Sequence, residues 1–243
     1  MNFKNIGIID DSIGGLEILE RLKKTYNENY IYIAGLKEYP YSLRKIILKE
    51  ICDDLYNKAL SQNIKMLIVT NPYISQFMDS NDVEKIDGIE MACKSLSDKN
   101  ILILGSEKAL EIKMLNKYFN KTNSKKVNAQ ILMNMPHDGD RNSFIVSKLI
   151  SEYIGDYEGD VFLFDSNLSL FKDEFKRYNE NLNIYTLNDF IYLEFVEKFK
   201  DELKTYSKNK TRIKYLVTDH RIAFYSSAEE FFDERFSTVR KIK

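Results

Sequence analysis

Short apolar runs alternate with amphipathic stretches along most of this chain. Ile6–Ile9, Tyr30–Ala34 and Met66–Val69 are continuous apolar runs, the pattern of strands buried on both faces. The first breaks at Asp10-Asp11-Ser12-Ile13-Gly14-Gly15, and Leu16, Ile18, Leu19 and Leu22 then recur at helical spacing. A long helix is predicted from about 43 to 61, with Ile47, Ile51, Leu55 and Ala59 as its apolar stripe. The second half repeats the scheme. A strand at 101–104 is followed by Gly105-Ser106 and a helix from about 107 to 119; Val127–Met133 reads as a strand, and Pro136-His137-Asp138-Gly139 as a loop. A helix over 143–154, strands at 161–164 and 183–187, a helix over 190–206, a strand at 215–217, a short helix near 228–232 and a tail over 238–242 complete the reading.

Strands that alternate with helices predict α/β architecture with parallel sheets covered on both faces. The expected division is a first domain of residues 1–95 plus 207–243 and a second of 96–206. Ligands of such sheets bind beyond the carboxyl ends of the strands. The loops to search are therefore 10–15, 36–42, 70–75, 105–107, 134–139 and 165–169. All three prolines, Pro40, Pro72 and Pro136, fall in them on this reading. Asp10–Gly15 sets carboxylates, a hydroxyl and paired glycines before a helix N-terminus, which suits either an anion site or a tight capped turn. Asp165-Ser166-Asn167 suits a polar pocket wall or a helix cap.

Composition narrows the functions. Lys plus Arg is 36 and Asp plus Glu is 37, a net charge of -1, which argues against nucleic-acid binding through bulk charge. No apolar run approaches the roughly 18 residues that span a bilayer, and no secretory leader precedes the first strand, so a cytoplasmic protein is expected. Cys52 and Cys93 are the only cysteines and His137 and His220 the only histidines, too few for a disulfide scaffold, a four-cysteine zinc site or a three-histidine metal site. Both cysteines sit in helical patterns and read as small buried hydrophobes.

The loops carry a family resemblance that extends over essentially the whole chain. Gly7-Ile8-Ile9-Asp10-Asp11-Ser12-Ile13-Gly14-Gly15-Leu16 resembles the G-I-F-D-S-G-V-G-G-L of glutamate racemase, in the aspartate/glutamate racemase superfamily. Pro40-Tyr41-Ser42 resembles its P-Y-G/S, Ile103–Ser106 the strand that opens its second domain, and Tyr215-Leu216-Val217-Thr218-Asp219 its V-T-x-D strand. The resemblance implies two Rossmann-like three-layer domains facing across a central cleft. It also implies no cofactor and no metal, an amino-acid-like ligand, and two facing cysteines as acid and base. Homodimers occur in the family, and a protein partner stays open; neither nucleic acid nor membrane is implied.

The departures concern those cysteines. Where the family has A-C-N-T-A-S, this chain reads Thr70-Asn71-Pro72-Tyr73-Ile74-Ser75. Where it has G-C-T-H-Y-P, the chain reads Phe164-Asp165-Ser166-Asn167-Leu168-Ser169. Asn71 and Asp165 thus stand at the cysteine positions, and Asp11 replaces a serine. The expected pocket is Asp10, Asp11, Ser12, Pro40, Tyr41, Ser42, Tyr73, Ser75, Ser166 and Asn167. Three readings follow: a racemase-like protein without racemase activity, acting as a ligand-binding or regulatory homologue; an enzyme using Asp and Tyr acid–base groups on another ligand; or a true glutamate racemase supplying D-glutamate for peptidoglycan, which would need Cys52 and Cys93 in the cleft.

Overall fold

The computed structural model describes residues 5–41, 44, 46–119, 124–202, 211–232, 236 and 238–242. Among the described residues, ten strands form two wholly parallel sheets. The first has the order β10-β9-β2-β1-β3-β4, from β1 (Asn5–Asp10), β2 (Tyr30–Ala34), β3 (Ile64–Val69), β4 (Glu84–Ile86), β9 (Ile213–Val217) and β10 (Val239–Lys241). The second has the order β6-β5-β7-β8, from β5 (Ile101–Gly105), β6 (Ser124–Asn128), β7 (Asp160–Leu163) and β8 (Asn183–Thr186). The C-terminal strands thus return to pair beside β2. None of the helices among the described residues is long and apolar enough to cross a membrane.

The helices follow from local chemistry. Every strand but β10 is followed in the chain by a helix: α1 (Leu16–Thr25), α2 (Leu48–Leu60), α3 (Pro72–Phe77), α4 (Ile89–Leu96), α5 (Glu107–Leu110) and α6 (Lys113–Tyr118) in the first half. In the second come α7 (Gln130–Asp138), α8 (Ser143–Ile154), α9 (Ser166–Ser169), α10 (Lys172–Tyr178), α11 (Leu187–Phe199) and α12 (Arg221–Phe232). Side-chain oxygens of Asn71, Ser106, Asn142, Asp165 and Thr186 cap α3, α5, α8, α9 and α11.

Alternate residues of β5 feed two cores. Ile101 and Ile103 join Phe162 and Phe164 in the large core that also surrounds the first sheet, while Leu102 and Leu104 face α7 and α8 on the outer side. Helix α11 follows β8 yet packs on α1 and α4. Its Asp189 accepts from Arg21 of α1 (3.0 Å) and Lys172 of α10 (2.9 Å), tying the halves together just beyond the end of β8.

Several expectations are corrected. Val127–Met133 is not a strand: β6 ends at Asn128 and α7 begins at Gln130, burying Leu132, Met133, Met135 and Pro136 at helical spacing. Pro136 and His137 therefore lie inside a helix, not in a loop, and Pro72 is the first residue of α3, so only Pro40 of the three prolines stays in a loop. The helix of 107–119 is broken near Glu111 and Ile112 into α5 and α6. Helix α2 starts only at Leu48 and buries Leu48, Cys52, Leu55, Tyr56 and Ala59, with Ile47 exposed. Helix α11 begins at Leu187, three residues early, because Thr186 caps it, and α12 runs from Arg221 rather than from near 228. The short, polar edge strand β4 had no sequence signal, and the tail forms β10.

Candidate functional site

The carboxyl ends of β1, β3 and β7 meet where the two sheets face each other. Asp10 ends β1 and organises the turn behind it: Oδ1 accepts from Ser12 N (2.7 Å), and Oδ2 from Gly15 N (2.7 Å). Hydroxyls from both halves add to Oδ2, from Thr70 after β3 and from Ser166 of α9 (2.8 Å). Asp10 is thus a buried structural acceptor joining the sheets.

Gly14 and Gly15 are explained by the same junction. A Cβ on Gly14 would lie 2.4 Å from the Ser166 carbonyl carbon and 2.5 Å from Asn167 N; one on Gly15 would lie 2.8 Å from Asp10 Oδ2. The glycines admit close approach: of the other half's backbone at Gly14, and of the Asp10 and Thr70 side chains at Gly15. Gly14 N donates to Asn167 Oδ1 (3.0 Å), and Asn167 Nδ2 donates to the Met133 carbonyl (3.2 Å).

Asn71 and Asp165 face each other across this junction. Asn71 Oδ1 caps α3 through Ile74 N (2.9 Å). Its Nδ2 donates to Asp11 Oδ2 (3.0 Å) and reaches Asp165 Oδ2 at 3.5 Å, the outer limit of a hydrogen bond. Asp165 Oδ1 accepts from Asn167 N (2.9 Å). Asp11 Oδ1 and Ser12 Oγ are buried with no hydrogen-bond partner.

Three carboxyls thus share one water-excluded junction. Like charges about 6 Å apart repel by about 3 kcal/mol at an effective dielectric near 20. Burial raises Asp11 well above the carboxylate range, with Asp10 and Asp165 adding and the Asn71 amide partly opposing. Burial, then the neighbouring Asp10, pushes Asp165 up to about 8, against the Asn167 N–H. At neutral pH this cluster holds protons.

The cavity beside it is small, about 20 Å³. That is room for one water, against several hundred Å³ for an ordinary ligand pocket. Asp11, Tyr39, Tyr41, Asn71 and Tyr73 line one side; Ser106, Gln130, Met133 and Asn167 line the other, with Pro40 at the edge. In its wall, the Tyr39 hydroxyl donates to Asn134 Oδ1 (2.6 Å) and the Tyr39 ring stacks on His137 at 3.8 Å. Burial lowers the His137 pKa. A roomier groove of about 380 Å³ lies outside, between α2 and the ends of β9 and β10; it is lined by charges of both signs and includes neither Asp11 nor Asp165.

Of the expected pocket residues, Asp11, Pro40, Tyr41, Tyr73 and Asn167 line the cavity together with Asn71. Asp10, Ser12, Ser166 and Asp165 lie in the junction beneath it. Ser75 is turned away, donating to Asp87, and Ser42 lies outside the described residues. Tyr39, Gln130 and Met133 were not singled out; the last two were hidden by reading α7 as a strand. Cys52 and Cys93 are fully buried and line no part of the cavity; burial pushes both thiols up to about 12. No group of three or more His, Cys, Asp or Glu among the described residues has the geometry of a metal site.

No protein-family model matches the chain. Among curated proteins, the glutamate racemase of Clostridium acetobutylicum is 28% identical over 177 residues, covering 66% of this chain and 69% of that enzyme. Glutamate racemase 3 of Caldanaerobacter subterraneus is 27% identical over 138 residues. In sequence the chain is thus similar to glutamate racemases. It spans about half the length of the Caldanaerobacter relative, 49%. Its fold is theirs throughout. The structure of the Thermus thermophilus glutamate racemase, in complex with β-chloro-D-alanine, superposes with a TM-score of 0.85 over 99% of this chain and 97% of that one, at 17% identity. The Francisella tularensis glutamate racemase, in complex with D-glutamate, superposes with a TM-score of 0.80 at 18% identity.

Proposed function

We propose that this racemase-like protein has kept the fold without the two-thiol racemase chemistry, and acts in the cytoplasm as a ligand-binding or regulatory homologue. The observation that carries the reading is the pair Asn71 and Asp165. They occupy the loops that resemble the family's cysteine loops, and they reach each other at 3.5 Å. A racemase needs a base on one face of Cα and an acid on the other. An amide has no useful proton affinity, so Asn71 supplies neither.

The surroundings support the same reading. Pro72 replaces an asparagine at the family's carboxylate-holding pair and offers no donor. Neither thiol lines the cavity, and thiols held near 12 carry little thiolate at neutral pH. Incubation with L- or D-glutamate, followed by circular dichroism, is expected to show no loss of optical activity. Racemisation abolished by Asn71→Ala would overturn the reading, and would revive a role in supplying D-glutamate for peptidoglycan.

A second reading is favoured by one observation. Asp165, pushed up to about 8, has the proton affinity of a general acid or base near neutrality. With Tyr73 in the cavity wall, it would suit one-sided proton transfer on a ligand other than glutamate. Turnover of any such ligand lost in Asp165→Asn would establish this reading. The homodimer suggested by the family is checked by light scattering.

A further inference from the structure

We infer that the imidazole of His137 is a proton-sensitive latch between the two halves, held while neutral and released on protonation. His137 lies near the end of α7, in the half built on the second sheet, where that helix meets α12 and the loop after β2, both of the first-sheet half. Its ring stacks on Tyr39 at 3.8 Å, and Asn134, one turn earlier on α7, accepts from the Tyr39 hydroxyl (2.6 Å). The His137 carbonyl accepts from Ser227 Oγ of α12 (3.2 Å). A Cβ on Gly139 would lie 3.1 Å from the same Ser227 oxygen, so the turn after α7 runs close against α12. Arg141 extends the contact, its guanidinium over the Phe231 ring (5.6 Å) and donating to the Glu230 carbonyl (3.3 Å).

The imidazole has no acceptor for a second N–H. Its Nδ1 is buried with no hydrogen-bond partner. In the neutral ring that atom can stay a bare acceptor, but an imidazolium donates from both nitrogens. Protonation therefore leaves a buried cationic donor unmet. The charged groups around the ring come from three places. Asp138 on α7 favours the cation, His220 in the turn before α12 opposes it, and Glu230 of α12 lines the same groove of about 490 Å³. Both histidines of the chain thus meet in one groove, 83 residues apart in sequence. On the stacked face, the Tyr39 hydroxyl is committed to Asn134. Burial outweighs the help from Asp138, and the His137 pKa falls below the ordinary 6.5. The latch therefore contributes fully above pH 6.5, and its contribution is lost as pH falls below that value. Asp165 acts with the opposite sign, stabilising more as pH falls from 8, so loosening in acid does not come from it.

Two measurements on the whole chain test this. Proton NMR in D₂O follows the imidazole Hε1 signals from pH 7.5 to pH 4.5; the chain has two histidines, and the His137 signal is the one missing from His137→Phe. Hydrogen exchange, read by mass spectrometry and corrected for the intrinsic rate at each pH, follows segments 36–41, 130–141 and 221–232. His137 is expected to titrate below 6.5. Protection of the three segments is expected to fall by about fivefold or more between pH 7.5 and pH 5. His137→Phe keeps a ring against Tyr39 and takes no proton, so its protection should not fall; His137→Gln, a second uncharged variant, should behave alike. Titration of His137 at or above 6.5, unchanged protection at pH 5, a fall confined to other segments, or an equal fall in both variants would each overturn the inference. Neither measurement involves glutamate, so failure here leaves the functional reading standing.

Discussion

The exits of β3 and β7 are built alike and charged differently. Each ends in a residue whose side-chain oxygen caps a short helix, Asn71 on α3 and Asp165 on α9, and each points its other polar atom at the opposite half. Asn71 brings a donor and Asp165 an acceptor. One amide can therefore hold two acids, Asp11 and Asp165, in a junction that has no basic side chain lining its cavity. Local capping makes the two loops equivalent. Only the atom left over after capping decides what they can do to a ligand or to each other.

The comparison breaks most severely if the two exits cannot meet. Gly14→Val would press a side chain into the Ser166 and Asn167 backbone. It is expected to cost about 3 kcal/mol or more in urea unfolding, and to enlarge the particle in small-angle scattering as the halves part. Next comes Asn71→Asp, which keeps the cap but turns the donor into a further acid. Its cost should be small at pH 5 and grow by about 2–4 kcal/mol towards pH 9, read from urea midpoints across that range.

The wild type should show the same slope more gently. The folded pKa of Asp165, about 8, lies above the ordinary 3.8, so the folded state holds that proton more tightly. The stability it contributes is complete below 3.8 and is lost as pH rises through about 8. Asp11→Asn should flatten this loss. Its amide can still accept from Asn71, and its NH₂ fills the place of the unpartnered oxygen. A gain of about 1–2 kcal/mol at pH 8.5 is expected by urea unfolding. The smallest effect concerns the thiols. Cys52 and Cys93 are wholly buried, and neither should react with a disulfide reagent until the protein unfolds.

Much of the fold was legible because its strands are continuous apolar runs. Ile6–Ile9, Tyr30–Ala34 and Met66–Val69 lie buried in the middle of the first sheet, where burial on both faces leaves no polar alternation to confuse the reading. Failure came where an edge strand meets a helix. Val127, Ala129, Ile131, Leu132 and Met133 are as apolar as a strand, but β6 is an edge strand of mostly half-exposed residues that stops at Asn128. Short apolar runs carry no periodicity that separates strand from helix. The site was legible in part. Loop motifs indicated Asp10, Asp11, Asn71 and Asp165, yet their convergence depends on contacts 60 or more residues apart in sequence, as between Asn71 and Asp11 or Asp165. Sequence spacing also gave no sign that Gly14 and Gly15 make room for α9 and for Asp10 instead of a ligand.

The central claim is that Asn71 and Asp165 do not perform two-sided proton transfer on glutamate. It is tested most directly by incubating the protein with L-glutamate, and separately with D-glutamate, in D₂O, and following the α-proton signal by NMR. The account predicts that the signal persists for both enantiomers in the wild type and in Asn71→Ala alike. Loss of the α-proton signal from both enantiomers in the wild type, abolished by Asn71→Ala, would contradict it.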